Sequence, residues 1–75
     1  NVHQGDRLNI LLTKMGKEPG QGVGYLDDGT MVVVDNAKKL IGQQVNLEVV
    51  SLLQTSSGRI VFAKHHEEDT PNSEN

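Results

Sequence analysis

The sequence predicts an all-β fold, a small five-stranded barrel, and three observations carry this prediction. Short runs of alternating or β-branched apolar residues recur along the chain, and no run has the spacing of a long amphipathic helix. Glycines lie at the bends between these runs, where they let a small sheet curl. The chain has 75 residues and no cysteine, so disulfides cannot stabilise its thin core. A nearly closed, OB-like β-barrel satisfies all three conditions.

The first predicted strand runs from Arg7 to Lys14. Every second side chain in it is apolar, as in a strand with one buried face, and Leu11 alone interrupts the polar face. A glycine-rich loop follows, and its Pro19 cannot occupy a central strand position. The side chains expected to face the core are Leu8, Ile10 and Leu12.

A β-hairpin is predicted next, with strands over residues 23–26 and 30–34. Asp28 and Gly29 stand between them, a pair that suits a type I′ turn, in which both central residues have positive φ. The glycines that lead into the hairpin allow sharp bends and a close approach of the backbone. We therefore expect this hairpin to set the curl of the sheet.

The rest of the barrel is predicted from two further strands and the segments before them. Residues 35–42 are polar enough for a single helical turn that ends at a glycine. Residues 44–54 form the longest strand, and their apolar alternation changes parity at Val50, which indicates a bulge or sharp bend. Residues 55–58 make a polar turn, and residues 59–64 return as the last strand.

The chain divides into three predicted regions: a linker at residues 1–6, the barrel at residues 7–64, and a disordered acidic tail at residues 65–75. Seven Lys and Arg against six Asp and Glu leave residues 1–64 with a net charge of +1, and four acidic residues give the tail −4. A nearly neutral barrel favours weak or tethered binding to a polyanion. The segment has no apolar run of membrane-spanning length and no cysteine, so we expect it to be soluble and cytoplasmic.

No catalytic or cofactor motif is predicted. The glycines of residues 20–24 lack the spacing of a nucleotide-binding loop and lead into a strand, where no helix N-terminus would hold a phosphate. Asp27 and Asp28 are adjacent, so they would point to opposite sides of a strand and are read as turn residues. His65 and His66 lack metal-ligand spacing and are read as tail residues. The sequence therefore predicts a fragment that is not an enzyme and needs no metal or cofactor.

Basic residues from three separate segments favour a nucleic-acid surface, because a barrel would bring those segments together. Each lysine taken alone is more often a solvated surface residue. Tyr25 is either a platform for base stacking or a half-buried structural tyrosine, and Phe62, the one other aromatic, is expected in the core. The candidate contacts are Lys14, Lys17, Tyr25, Lys38, Lys39, Arg59 and Lys64.

The chain also resembles a known family over residues 5–64. The resemblance is carried by residues 16–29, 31–34, 36–37, 41–42 and 55–63. It is to the TRAM domain, an OB-like barrel, and in particular to the copy at the C-terminal end of bacterial membrane proteins that carry a PIN nuclease domain.

The resemblance implies an RNA-binding auxiliary module that holds RNA near a catalytic domain. TRAM domains accompany tRNA- and rRNA-modifying enzymes as well as PIN nucleases. The acidic cluster of a PIN nuclease is not in this chain, so the implied ribonuclease would lie upstream in a longer parent protein, with any membrane anchor also outside this segment.

Two alternatives stay open at this stage. The barrel could be an interaction or oligomerisation module, because its body is nearly neutral and its aromatics are few. Binding of single-stranded DNA differs from RNA binding only in the role of the 2′-hydroxyl, on which the sequence is silent.

Overall fold

The computed structural model describes residues 2–65. They form five strands and one 3₁₀ helix, and none of their helices is long and apolar enough to cross a membrane. The predicted tail lies outside the described residues except for His65, which belongs to the last strand. The elements are β1 (Arg7–Met15), β2 (Gly22–Tyr25), β3 (Met31–Val34), a 3₁₀ helix (Lys38–Leu40), β4 (Gln44–Thr55) and β5 (Gly58–His65).

The strands close into a barrel in the order β1-β2-β3-β5-β4, with β4 returning to β1. All neighbouring pairs are antiparallel except β3 and β5, which are parallel. The closed five-stranded barrel confirms the predicted all-β, OB-like fold. Closure pairs the strand edges that an open sheet of this size would leave exposed.

The core follows from the period-2 alternation of the strands. Inward positions carry medium-sized aliphatic side chains from four of the strands, together with Ala37, which precedes the 3₁₀ helix. Leu40 packs against this core between β3 and β4, and Val2, Leu8 and Leu26 also pack against it. The largest fully buried side chains are Leu12, Val32, Val34, Leu47, Val49 and Val61.

Gly24 shows why the entry to the hairpin is rich in glycine. A Cβ atom at this position would lie 2.6 Å from the carbonyl oxygen of Leu11 on β1, closer than such atoms approach one another. The β1–β2 register also shifts between Leu12 and Lys14. The absence of a side chain at Gly24 therefore lets β2 lie close against β1 at the point where the sheet bends.

The predicted type I′ turn is wrong. Leu26 accepts a hydrogen bond from the Gly29 N–H at 2.9 Å and donates its own N–H to the Thr30 carbonyl oxygen at 2.9 Å. Gly29 has φ +91°, whereas Asp28 has no positive φ, so one left-handed residue closes the loop instead of two. The Asp-Gly pair is equally suited to this three-residue loop, in which glycine takes the left-handed position after an ordinary turn.

The predicted bulge in β4 is confirmed at Val50, because the β4–β5 register shifts between Val49 and Ser51. Before the bulge β4 pairs with both β1 and β5; beyond it, β4 pairs only with β5 among the described residues. The side chains of residues 50–54 are all exposed. Residues 51–53 pair with the part of β5 that also pairs with β3, so only residues 54–59 form a two-stranded extension of the barrel wall.

Candidate nucleic-acid interface

The outer face of β2, β3 and β5 is unusually apolar for a surface. Cross-strand pairing aligns Tyr25 with Met31 and Met31 with Ile60, and two residues along β3 it aligns Val33 with both Val23 and Phe62. These positions alternate with core positions, so their side chains point away from the barrel interior. β3 thus carries apolar residues on both faces, as in a strand covered on both sides.

The predicted core position of Phe62 is wrong. Its neighbours in β5, Val61 and Ala63, are buried in the core, so alternation directs Phe62 to the outside. It is half-buried there and forms part of a surface groove.

This groove, which we call the outer groove, has a volume of about 630 Å³ and lies between the β1–β2 loop and the outer face of the sheet. Its floor is apolar, and two lysines and one carboxylate stand on its loop side. The residues that line it include Lys14, Met15, Lys17, Met31, Ile60 and Phe62.

The loop that forms one wall of the outer groove is held in place by hydrogen bonds. The Gly16 N–H donates to the Gln21 carbonyl oxygen at 2.9 Å, and the Gln21 N–H donates to the Glu18 carbonyl oxygen at 3.1 Å. The Gln21 side chain donates to Asp35 Oδ1 at 3.1 Å, and the Ala37 N–H donates to the Gly20 carbonyl oxygen at 2.7 Å. The wall is therefore attached to the segment after β3, and the groove is formed before any ligand binds.

A second groove, the tip groove, lies between the β2–β3 loop and the β4–β5 turn and has a volume of about 320 Å³. Tyr25, Asp28 and Arg59 line it. Met31 and Ile60 line both grooves, so the two are contiguous. Tyr25 is 43% exposed, which leaves ring surface available to a ligand.

Lys14, which lines the outer groove, contacts Tyr25, which lines the tip groove. Its Nζ atom lies 5.7 Å from the centroid of the Tyr25 ring, within the range of a cation–π contact. A cation and an aromatic ring are thereby placed side by side at the edge of an apolar floor. A cation can contact the phosphate of a nucleotide, and an aromatic ring can stack on its base.

The negative groups of the two grooves limit their positive potential. Asp28 Oδ1 accepts a hydrogen bond from the Thr30 N–H at 3.0 Å, and this bond, with the Thr30 side chain and the charge of Arg59, lowers the pKa of Asp28 below its usual value. The carboxylate is therefore charged at neutral pH, close to Arg59. Glu18 similarly lies near the two lysines of the outer groove. The two grooves together carry three cations and two carboxylates, a small positive surplus that favours weak binding of a polyanion.

Four of the seven predicted contact residues thus line the two contiguous grooves: Lys14, Lys17, Tyr25 and Arg59. The other three line neither. Lys38 and Lys39 are exposed on the 3₁₀ helix, and Lys64 is exposed on β5, where it is the cross-strand neighbour of Glu48.

Sequence reasoning missed the apolar floor of the outer groove. Met15, Met31, Ile60 and Phe62 were not predicted to be site residues. A signal was present: β3 is apolar at every position and β5 carries apolar residues at consecutive positions, so both strands have a second apolar face. Within residues 2–65 the structure shows no group of His, Cys, Asp or Glu side chains that could hold a metal ion.

A protein-family model described as TRAM domain matches residues 1–61. The chain belongs to the TRAM domain family. It is 53% identical over 60 residues to a PIN and TRAM-domain containing protein of Synechocystis, covering 80% of this chain and 17% of that protein. It is 50% identical over 63 residues to the PIN and TRAM-domain containing protein YacL of Bacillus subtilis, covering 84% of this chain and 17% of that protein.

A more distant relative is the tRNA-2-methylthio-N(6)-dimethylallyladenosine synthase of Pelobacter propionicus, which is 36% identical over 56 residues. The match covers 75% of this chain and 13% of that enzyme. The chain therefore spans about a sixth of the length of the first relatives it matches. The comparison with solved structures gave no match. Family membership and these relatives support a nucleic-acid-binding auxiliary module.

Proposed function

We propose that this TRAM domain is a non-catalytic module that holds single-stranded RNA beside the PIN domain of a longer protein. The observation that carries the proposal is the convergence of Lys14, Lys17, Tyr25 and Arg59 on contiguous grooves with an apolar floor. The PIN and TRAM-domain relatives support a parent protein in which a PIN nuclease supplies the catalysis. The cytoplasmic location of the domain stays a prediction.

The grooves favour single strands over duplex. A base reaches the apolar floor at Met31, Ile60 and Phe62 only if its face or edge is exposed, and in a duplex the bases are stacked on one another. The lysines at the loop wall and Arg59 at the tip then contact phosphates on either side of the bound base. Neither contact reads a base sequence, so we expect binding with little sequence preference.

The test is fluorescence anisotropy of a labelled single-stranded RNA titrated with the 75-residue chain. With three phosphates neutralised, we expect log K to fall with log salt with a slope of about −2. A matched DNA strand tests the 2′-hydroxyl, and a duplex of the same length should bind more weakly. Binding that is independent of salt, or absent at high micromolar protein, would contradict the proposal and favour a protein-interaction barrel.

A further inference from the structure

The outer groove contains both methionines of the chain, Met15 and Met31. Met15 is the last residue of β1, where the β1–β2 loop begins, and it is 54% exposed. Met31 is half-buried on the apolar floor, aligned across the sheet with Tyr25 on one side and Ile60 on the other. The chain has no cysteine, so these two thioethers are its only sulfur atoms, and both side chains line the proposed RNA site.

Neither methionine belongs to the hydrophobic core of the barrel. Val32 and Val34 are fully buried, so the alternation of β3 directs Met31 outward. Met15 is exposed and lies beyond Leu12, the last buried residue of β1. A chemical change at either sulfur therefore alters the surface of the groove and leaves the packed interior of the barrel as it is.

The thioether is the group in this groove that a peroxide converts from apolar to polar. The sulfur lone pair attacks one oxygen of hydrogen peroxide, so the S–O bond forms as the O–O bond breaks. The sulfur loses two electrons, and the leaving oxygen takes the proton of the transferred hydroxyl and departs as water. The product, methionine sulfoxide, is polar. A base that covers it must remove water from the new oxygen, and the neighbouring side chains of Ile60 and Phe62 offer no donor in return.

We propose that Met15 and Met31 form an oxidative modification site, at which conversion to the sulfoxides by hydrogen peroxide weakens the binding of RNA to the outer groove. The inference rests on the proposed function and concerns the regulation of that same site. Peroxide must reach the sulfur, so the exposed Met15 is oxidised first and the half-buried Met31 more slowly. A base that lies on the floor covers both side chains, so bound RNA protects them in turn.

The experiment compares RNA binding by the 75-residue chain before and after treatment with hydrogen peroxide, and intact-mass spectrometry counts the oxygen atoms added. We expect binding to weaken about threefold to fivefold once both methionines are oxidised, because two polar groups must then lose water on binding. Methionine sulfoxide reductases with a dithiol should restore binding: the dithiol becomes a disulfide and the oxygen leaves as water. Thermal unfolding of each form is recorded to show that the barrel is intact.

Two matched double variants separate oxidation of these sulfur atoms from other damage. Met15→Leu together with Met31→Leu keeps the floor apolar and removes both sulfur atoms, so it should bind RNA as the untreated wild type does, with or without peroxide. Met15→Gln together with Met31→Gln places polar side chains of similar length in the groove and should reproduce the loss without peroxide. Saturating single-stranded RNA should slow the oxidation of wild-type Met15 at least about threefold, because peroxide then reaches its sulfur mainly in the unbound fraction.

Four outcomes would overturn this inference while RNA binding by the untreated protein stands. Unchanged binding after both sulfur atoms are oxidised is the first, and an equal loss in the leucine variant after peroxide treatment is the second. The third is oxidation of Met15 at the same rate with and without saturating RNA. The fourth is unfolding of the oxidised protein, which would give the methionines a structural role. Absence of RNA binding by the untreated protein would instead contradict the proposed function itself, and this inference with it.

Discussion

Two pairs of lysines occupy different surroundings in this barrel. Lys14 and Lys17 stand at the wall of an apolar groove, and Lys14 lies 5.7 Å from an aromatic ring. Lys38 and Lys39 are also exposed, but they lie on the 3₁₀ helix and line neither groove. The two pairs therefore differ in their surroundings and not in their charge. The proposed RNA site requires a concave surface that can receive a base beside the positive charge, and only Lys14 and Lys17 meet that requirement.

The largest expected effect comes from reversing the charge of each pair. Lys14→Glu together with Lys17→Glu should weaken RNA binding about tenfold or more at low salt, because two phosphate contacts are lost and two repulsive charges are added. The measurement is anisotropy with single-stranded RNA. Lys38→Glu together with Lys39→Glu makes the same change in net charge and is the control, for which we expect less than a threefold loss. Equal losses would mean that only the overall charge of the domain matters.

A smaller effect is expected from the aromatic ring. Tyr25→Ala should weaken binding about fivefold, since stacking of a base on an exposed ring contributes on the order of 1 kcal/mol. Tyr25→Phe keeps the ring and should bind as the wild type does. The two variants are compared at one salt concentration, with thermal unfolding recorded to show that the barrel is intact. Unchanged binding by the alanine variant would assign Tyr25 a structural role.

The smallest expected effect comes from the carboxylate beside Arg59. Asp28→Asn should tighten binding about twofold at pH 7, because it removes one negative charge from the tip groove while the amide oxygen can still accept the Thr30 N–H. The pKa of Asp28 is lowered, so the wild-type carboxylate stays charged throughout the pH range above the usual aspartate pKa. It becomes neutral only when the pH falls below that usual pKa. Asp28 therefore gives no pH dependence of binding between about pH 5 and 8. Weaker binding by the variant would indicate that Asp28 orients Arg59 toward the RNA.

The fold was largely predictable because burial leaves a period in the sequence. Apolar alternation located β1 and β4, and its change of parity located the bulge at Val50. Runs of apolar and β-branched residues beside turn signals located β2, β3 and β5. The turn type was not predictable from the Asp28-Gly29 pair, because the same pair fits a two-residue and a three-residue loop. The local sequence does not decide between the two loop lengths. The pairing register of β2 and β3, to which both strands contribute, decides it.

The site was predictable only in part. The cations are visible in the sequence, but which of them share a surface depends on how three segments meet in the closed barrel. Phe62 was misplaced because its predicted position came from the size of its side chain and not from its parity with Val61 and Ala63. Had that parity been applied to β3 and β5, the apolar outer face would have been predicted, although the loop that turns it into a groove would not.

The most direct test of the account is the perturbation of backbone amide NMR signals of the 75-residue chain during titration with single-stranded RNA. We predict that the largest shifts occur in the β1–β2 loop, at Met31, and from Arg59 to Phe62, with much smaller shifts at Lys38 and Lys39. Shifts concentrated on the 3₁₀ helix, or spread evenly over all exposed lysines, would contradict the claim that the grooves hold the RNA.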